Sequence, residues 1–437
     1  MVYFIIMNIL MKTSQYICNM TLCINRRSIV FWSRLLILGI VLSTLAGCLR
    51  DDDEPIRPTR PISRLYISTS QFSLNPDVEV LQNVYVVDPA DESSFERANL
   101  DYRTFAMGGS AILYSPEGRL LFQSAQNISR TDNSVQVMNI DTVRGTLAAQ
   151  GTVNSELLTA VRGIAYHPNT DMLLLANARA AATTIPPVLQ GSKLVTQAGP
   201  TQSDLFVYSR PRSRSNPALP NYRLPFPDKT IRAVFIHDIS IQQNDRRNKT
   251  YISTTATQGE ILVYEELPDR LMNNPLDSLP NITPDFILNI PSSRSLNSMT
   301  YSPQLDLMVA TEAANITGDP VVGQGRVLFF ENFSTHSANA QIAPSRVITG
   351  AQTLLINPVS VAIDTRDGAQ YLYVADSNSG TSGSILRFLI SNEGNVQPTG
   401  VLQIPNRTPV GVSLDARGTI PVDSTANTSG SSARIRR

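Results

Sequence analysis

Residue types that do chemistry are sparse in this chain. It has three histidines (His167, His237, His336), three cysteines (Cys18, Cys23, Cys48) and a single tryptophan, Trp32. No Gly-x-Ser-x-Gly elbow surrounds a serine, so nucleophilic catalysis lacks its expected parts. What does recur is a polar residue four positions before an apolar or aromatic one in short strand-like runs: Ser110 before Tyr114, Arg162 before Tyr166, His237 before Ile241 and Asn297 before Tyr301. Val359 and Val410 hold the same place before Ile363 and Leu414. Brought together, these residues make a sided pocket with four polar groups and two valines, suited to a ligand that is partly apolar and partly anionic or hydroxylated. Arg162 is the anion donor of the set, because its guanidinium is always charged and presents several donors in a fixed fork. Asp238 beside His237 adds one carboxylate. No metal and no other cofactor is expected: Arg162 puts a fixed positive charge where a cation would need a ligand, and an imidazole is not the oxygen donor a hard cation prefers. Asp376-Ser377-Asn378 reads as a turn cap after a strand rather than a calcium loop.

The elements that would position these residues are strands. From Ile62 onward there is no sustained 3.6-residue apolar pattern, only short β-branched and aromatic runs broken by Gly, Pro, Asn and Asp. The runs repeat. Asn281 to Pro291 aligns without gaps on Asn395 to Pro405, and Gln341 to Ile348 is a weaker third copy. One set of six strands is predicted at 65–68, 120–123, 173–176, 250–253, 307–310 and 372–375. A partner set is predicted at 84–87, 135–138, 205–208, 261–264, 327–330 and 385–388. Four-stranded units repeated in this way are blades of an all-β propeller. The N-terminal unit has no first strand of its own, and Pro409 to Asp415 has the missing pattern, so a six-bladed ring closed by a C-terminal first strand is expected. Seven blades are the alternative, since Pro421-Val422-Asp423-Ser424 weakly echoes blade six. Asn357 to Asp364 followed by Tyr371 to Ser377 resembles an NHL-type propeller repeat, which implies the same architecture and leaves activity open.

The N-terminus carries an address. Arg26, Arg27 and Arg34 precede the apolar run Leu35 to Leu42, too short for a stable membrane span, which ends at Leu45-Ala46-Gly47-Cys48. That tetrapeptide resembles the lipobox of bacterial lipoproteins. The resemblance implies cleavage before Cys48 and acylation of Cys48, a membrane anchor of more than the two chains that stable attachment requires. The expected organisation is therefore a signal region over 1–47, with Met20 a plausible true start, an acidic and proline-punctuated tether over 48–61, a propeller over 62–418 and a polar tail over 419–437. The acidic run Asp51-Asp52-Asp53-Glu54 resembles the export signal of surface lipoproteins of the Bacteroidota, so the expected address is the outer membrane of a Gram-negative bacterium, facing outward or toward the periplasm. With Cys48 acylated no disulfide remains to the mature domain, and stability must come from a large core.

Composition narrows the partners. The 42% of hydrophobic residues allows such a core, and 36 Lys+Arg balance 36 Asp+Glu, which argues against a nucleic-acid binder. Loops 70–82, 178–203 and 313–324 are expected on the same face as the pocket, and insertions confined to one face are how repeat scaffolds build recognition surfaces. The function expected is a lipid-anchored binding or scaffolding module for a glycan, a small molecule or an envelope protein. The alternative is an extracytoplasmic hydrolase of lactonase or glycan-cleaving type, built on Arg162, His237, Asp238 and Asn297. Gluconolactonase-type propellers hold a divalent metal at comparable positions, and only Asn297 matches that pattern here.

Overall fold

The computed structural model describes residues 59–421 and 433–434, apart from 72–81, 96–97, 99, 128–130, 142–143, 186–188, 191–192, 195–198, 215, 243–244, 256–258, 274–281, 294, 314–323 and 379–382. Two compact units divide the chain, Met1–Pro58 and Thr59–Arg437, and every described residue belongs to the second.

Six sheets, each with four antiparallel strands, form a six-bladed β-propeller, and those of blades 1 and 4 add a short outer strand in parallel, Ala433–Arg434 and Ala340–Gln341. From first to last strand, blade 2 is Gly109–Ser115, Leu120–Ala125, Ser134–Ile140 and Leu147–Asn154; blade 3 is Ala160–His167, Met172–Ile185, Gly199–Ser209 and Tyr222–Phe226. Blade 4 is Thr230–Gln242, Asp245–Thr255, Gly259–Glu265 and Phe286–Ile290, and a short helix, Leu267–Asn273, follows its third strand. Blade 5 is Leu296–Ser302, Leu307–Glu312, Arg326–Glu331 and Arg346–Ile348; blade 6 is Pro358–Ile363, Tyr371–Asp376, Ser384–Leu389 and Gly400–Gln403. Blade 1 takes Arg64–Thr69, Val84–Val87 and Leu100–Arg103 from the start of the domain, and its first strand, Pro409–Asp415, from the end. That strand pairs antiparallel with Arg64–Thr69, Leu414 facing Leu65 and Val412 facing Ile67, which latches the ring.

Burial explains why the middle strands are continuous apolar runs. A blade packs against a neighbour on each side, so both faces of its second strand are covered: every residue of Arg64–Thr69, Leu120–Ala125 and Leu307–Glu312 is buried. Outer strands have less cover and alternate, as Phe286–Ile290 does. The core is accordingly six clusters, one between each pair of neighbouring blades. Leu65 and Ile67 of blade 1 meet Ala362 and Tyr373 of blade 6, and Tyr66 and Val84 meet Tyr114 and Leu121 of blade 2 on the other side. Six such cores leave no place for a seventh blade. Thr419–Pro421, whose last residue opens the segment read as an echo of a blade, pairs with Thr59–Pro61, where Arg60 reaches Asp88 at 2.7 Å.

First strands of neighbouring blades belong to separate sheets and do not pair with each other, and side-chain hydroxyls stitch them. Ser298 Oγ accepts the Val361 amide at 3.3 Å, Ser360 Oγ the Val412 amide at 3.1 Å and Ser413 Oγ the Tyr114 amide at 2.8 Å. Blades 3 and 1 have Gly163 and Gly411 at the place of Ser298 and Ser360, where a Cβ would lie 2.7 Å from the Arg232 carbonyl oxygen of blade 4 and 2.8 Å from the Ser110 carbonyl oxygen of blade 2. Only glycine permits that approach.

Candidate functional site: the central channel

A cavity of about 500 Å³ runs along the axis, lined by first strands from all six blades. Its volume falls within the range of small-molecule sites. Arg162, Val359 and Val410 line it at the end where the first strands begin, and Glu117, His167, His237, Asp238 and Arg417 line it toward the end where they turn into the second strands.

The structure thus divides the residues singled out from sequence. Ser110, Arg162 and Asn297 hold the expected place at the start of their first strands, and of the three Arg162 lines the cavity. His237 and Asp238 do not: strand pairing sets Ile236 opposite Thr250, as Tyr166 is set opposite Leu173 in blade 3, so His237 matches His167 at the far end of the channel. The entrance position of blade 4, four residues before Ile236, belongs to Arg232. The physical reason is a longer first strand. Tyr114, Tyr166 and Tyr301 are each followed two residues later by a proline (Pro116, Pro168, Pro303) that ends the strand. Asp238 has that place in blade 4, and the hairpin runs on to Gln242 paired with Asp245, with bulges after Ile231 and Ser240. The repeat Gly163-Ile164-Ala165-Tyr166-His167 against Ala233-Val234-Phe235-Ile236-His237 was the signal that would have placed Arg232.

Two of the entrance residues are engaged in the ring itself. Ser110 Oγ donates to the Val161 carbonyl at 3.1 Å, and Asn297 Nδ2 donates to the Pro358 carbonyl at 3.1 Å, each tying its blade to the next. Arg162 and Arg232 differ, for neither guanidinium has a hydrogen bond or ion pair among the described residues, and Arg232 Nε is buried without a partner. Arg162 is open to the water of the channel yet surrounded by protein walls, and that desolvation pulls its guanidinium below the ordinary arginine value. Burial does the same to Arg232, and the charge of Arg162 adds to it. Both remain cations at neutral pH.

The far end is a histidine and tyrosine cluster. His167 is buried, its Nδ1 2.8 Å from Thr170 Oγ1 and its Nε2 3.3 Å from Asp238 Oδ1. His237 lies edge-on to Tyr301 with ring centroids 4.7 Å apart; burial lowers its pKa, against the pull of Asp238. Tyr166 and Tyr301 donate to Asp171 and Asp306 at 2.7 and 2.8 Å, holding the turns between first and second strands. Among the described residues no group of three or more His, Cys, Asp or Glu is placed to hold a metal ion.

On the entrance face the ends of second strands grip the incoming connections. Asp376 Oδ2 accepts the amides of Ile356 at 2.7 Å and Asn357 at 3.1 Å, while Oδ1 accepts that of Asn378 at 2.8 Å, the turn-capping role read from sequence. Asn177 Oδ1 does the equivalent work in blade 3 on Thr159 and Ala160. Of the long loops expected on this face, 70–82 and 313–324 lie almost wholly outside the described residues, as does Cys48 with the segment before it, whereas 178–203 is largely strand: Met172–Ile185 and Gly199–Ser209 run into it and pair as far as Ile185 opposite Gly199.

No family model and no curated protein matches the chain. Among solved structures, it is similar to a chain of a nidogen/laminin complex at 10% identity and a TM-score of 0.43, over 81% of this chain and 98% of that one. A Bacteroides fragilis protein provisionally assigned as a 6-phosphogluconolactonase gives 12% identity and a TM-score of 0.44, over 81% and 98%. The Dos1 propeller gives 10% identity and a TM-score of 0.36, over 79% and 75%. These likenesses concern the fold alone, and the blade count rests on the strand order and the six inter-blade cores.

Proposed function

We propose that this chain is a lipid-anchored β-propeller of the bacterial outer membrane that binds a small ligand within its central channel. One observation carries the reading: an axial cavity of about 500 Å³ walled by all six blades, apolar on the side of Val359 and Val410 and cationic at Arg162. The lipobox-like Leu45-Ala46-Gly47-Cys48 supports the anchor. The test is to purify the full chain in mild detergent, denature it and identify released small molecules by mass spectrometry, beside Thr300→Trp, which fills the channel from its wall. A molecule released by the wild type and absent from the variant is expected. Equal recovery from both, or none from the wild type, overturns the reading. In parallel, Cys48→Ala should move the protein from the detergent phase to the aqueous phase, and unchanged partition would remove the anchor.

A hydrolytic reading draws on a different observation, the contact of His167 Nε2 with Asp238 at the far end of the channel. It predicts turnover of a lactone or glycan panel that is lost in His167→Ala and kept in Arg162→Gln, whereas absence of turnover by the wild type counts against it.

A further inference from the structure

We infer that Arg162 and Arg232 form an anion site at the channel entrance, which takes a small organic ligand bearing a carboxylate or phosphate group beside an apolar portion. This deepens the channel-binding reading and rests on it. Arg232 is half-buried and Arg162, though open to the channel water, is walled by protein, and other arginines held within this protein have partners. Arg64 Nε lies 2.6 Å from Asp88, Arg223 Nε lies 2.6 Å from Asp204, and Arg366 Nε reaches Asp364 at 3.0 Å. Arg387, without a carboxylate, is sandwiched between Phe95 and Tyr371 at 4.9 and 4.6 Å and donates to the Ala90 carbonyl. Each of those cations is neutralised or stacked, as a buried charge requires.

Arg162 and Arg232 have neither kind of partner, and Arg232 Nε is a buried donor that points at nothing in the protein. They also stand on adjacent first strands whose backbones come close at Gly163, the residue after Arg162, where a Cβ would lie 2.7 Å from the Arg232 carbonyl oxygen. Two like charges on backbones in near contact repel, and the repulsion and the unmet donors are relieved together by one anion between them. The acids of the channel do not serve: Glu117 and Asp238 line the opposite end, where Asp238 already meets His167. Across the ring Val359 and Val410 present apolar surface, so a ligand that places its anionic group on the arginines lays its remainder against the valines.

The experiment labels the full chain with phenylglyoxal, which modifies accessible guanidinium groups, and follows Arg162 by peptide mass spectrometry. Inorganic phosphate, hexanoate and its neutral counterpart hexanamide are added in turn. Hexanoate is expected to slow labelling of Arg162 while hexanamide leaves it unchanged, and phosphate protection tells whether a phosphate serves as well as a carboxylate. Labelling of Arg210, on the opposite face, should not respond. In Arg232→Gln the concentration of hexanoate needed for protection should rise roughly tenfold or more, the value of one charge-assisted hydrogen bond. Labelling of Arg162 that ignores both anions overturns the anion site. Protection by hexanamide as strong as by hexanoate also overturns it but leaves the channel as a ligand site, and loss of all protection in Thr300→Trp separates channel binding from an effect elsewhere.

Discussion

Gly163→Ala puts the close approach of the first strands to a direct test. A Cβ there would lie 2.7 Å from the Arg232 carbonyl oxygen, 2.9 Å from the Val234 amide nitrogen and 3.0 Å from Ala233 Cα. All three are backbone atoms of the neighbouring first strand, and none can rotate away. Ordinary contact begins near 3.4 Å, so the strands must part by about 0.7 Å at the tightest point, in a ring whose closure leaves the displacement nowhere to go. Overpacking of this kind costs about 1–3 kcal/mol, which for a domain of this size lowers the midpoint of thermal unfolding by about 1–4 °C. Urea unfolding and calorimetry of the full chain measure it, beside Gly118→Ala, whose Cβ would meet side chains and no backbone, Leu120 at 3.0 and 3.1 Å and Tyr166 at 3.6 Å, and should cost less than Gly163→Ala. Because the nearest displaced atom is the carbonyl oxygen of Arg232, Gly163→Ala should also weaken hexanoate protection of Arg162. Equal stability of the two alanine variants would refute the close packing of the inner ring.

Truncation before Pro409 removes the strand that covers Arg64–Thr69 and opens the core between blades 1 and 6, to which Val412 and Leu414 belong, and the domain should lose its cooperative unfolding transition, whereas truncation after Pro421 leaves both terminal pairings of 59–61 and 409–415 in place and should keep it. Circular dichroism melts of the two chains decide this, and similar curves would refute the latch. Asp376→Ala strands the amides of Ile356, Asn357 and Asn378 and should cost about 2–4 kcal/mol in urea unfolding. Asp415 is 2% exposed, and burial raises its pKa although Arg417 and Arg64 pull it down. The folded state therefore binds the proton more tightly than the unfolded chain, so the contribution of Asp415 is present below the ordinary carboxylate range and is lost as pH rises through its folded pKa. Wild type should gain stability relative to Asp415→Asn as pH falls from neutral toward that range, and parallel stability profiles would contradict it.

Strands were legible from sequence where burial is independent of register. The second and third strands of every blade fall where continuous apolar runs predicted them, because a middle strand covered on both faces must be apolar along its whole length. The latch strand was legible for a related reason, since a ring needs one inner strand per blade and the N-terminal unit lacked it. Register on the first strands is set by less. One proline ends three of them, and blade 4, without it, slides the count by five residues and exchanges Arg232 for His237. Ser110 and Asn297 were recognisable as polar entrance residues, but a hydroxyl that binds a ligand and one that stitches two strands are the same residue type at the same spacing. The difference lies in a carbonyl about 50 to 60 positions away in sequence, which pattern reading does not reach.

That distinction sharpens what the entrance is for. Six inner strands need hydrogen bonds between them, and Ser110, Asn297, Ser298, Ser360 and Ser413 supply these with neutral side chains. Holding the ring therefore requires no charge at this level. Arg162 and Arg232 contribute no bond to it, lose solvation by standing there and repel each other across two strands in contact. Glutamine at both positions would carry the same fold without that penalty, so Arg162→Gln combined with Arg232→Gln should unfold at a urea concentration equal to or above that of the wild type. A destabilised double variant would mean that the arginines serve the ring after all. Unchanged or raised stability together with lost hexanoate protection leaves binding as the property the two charges serve.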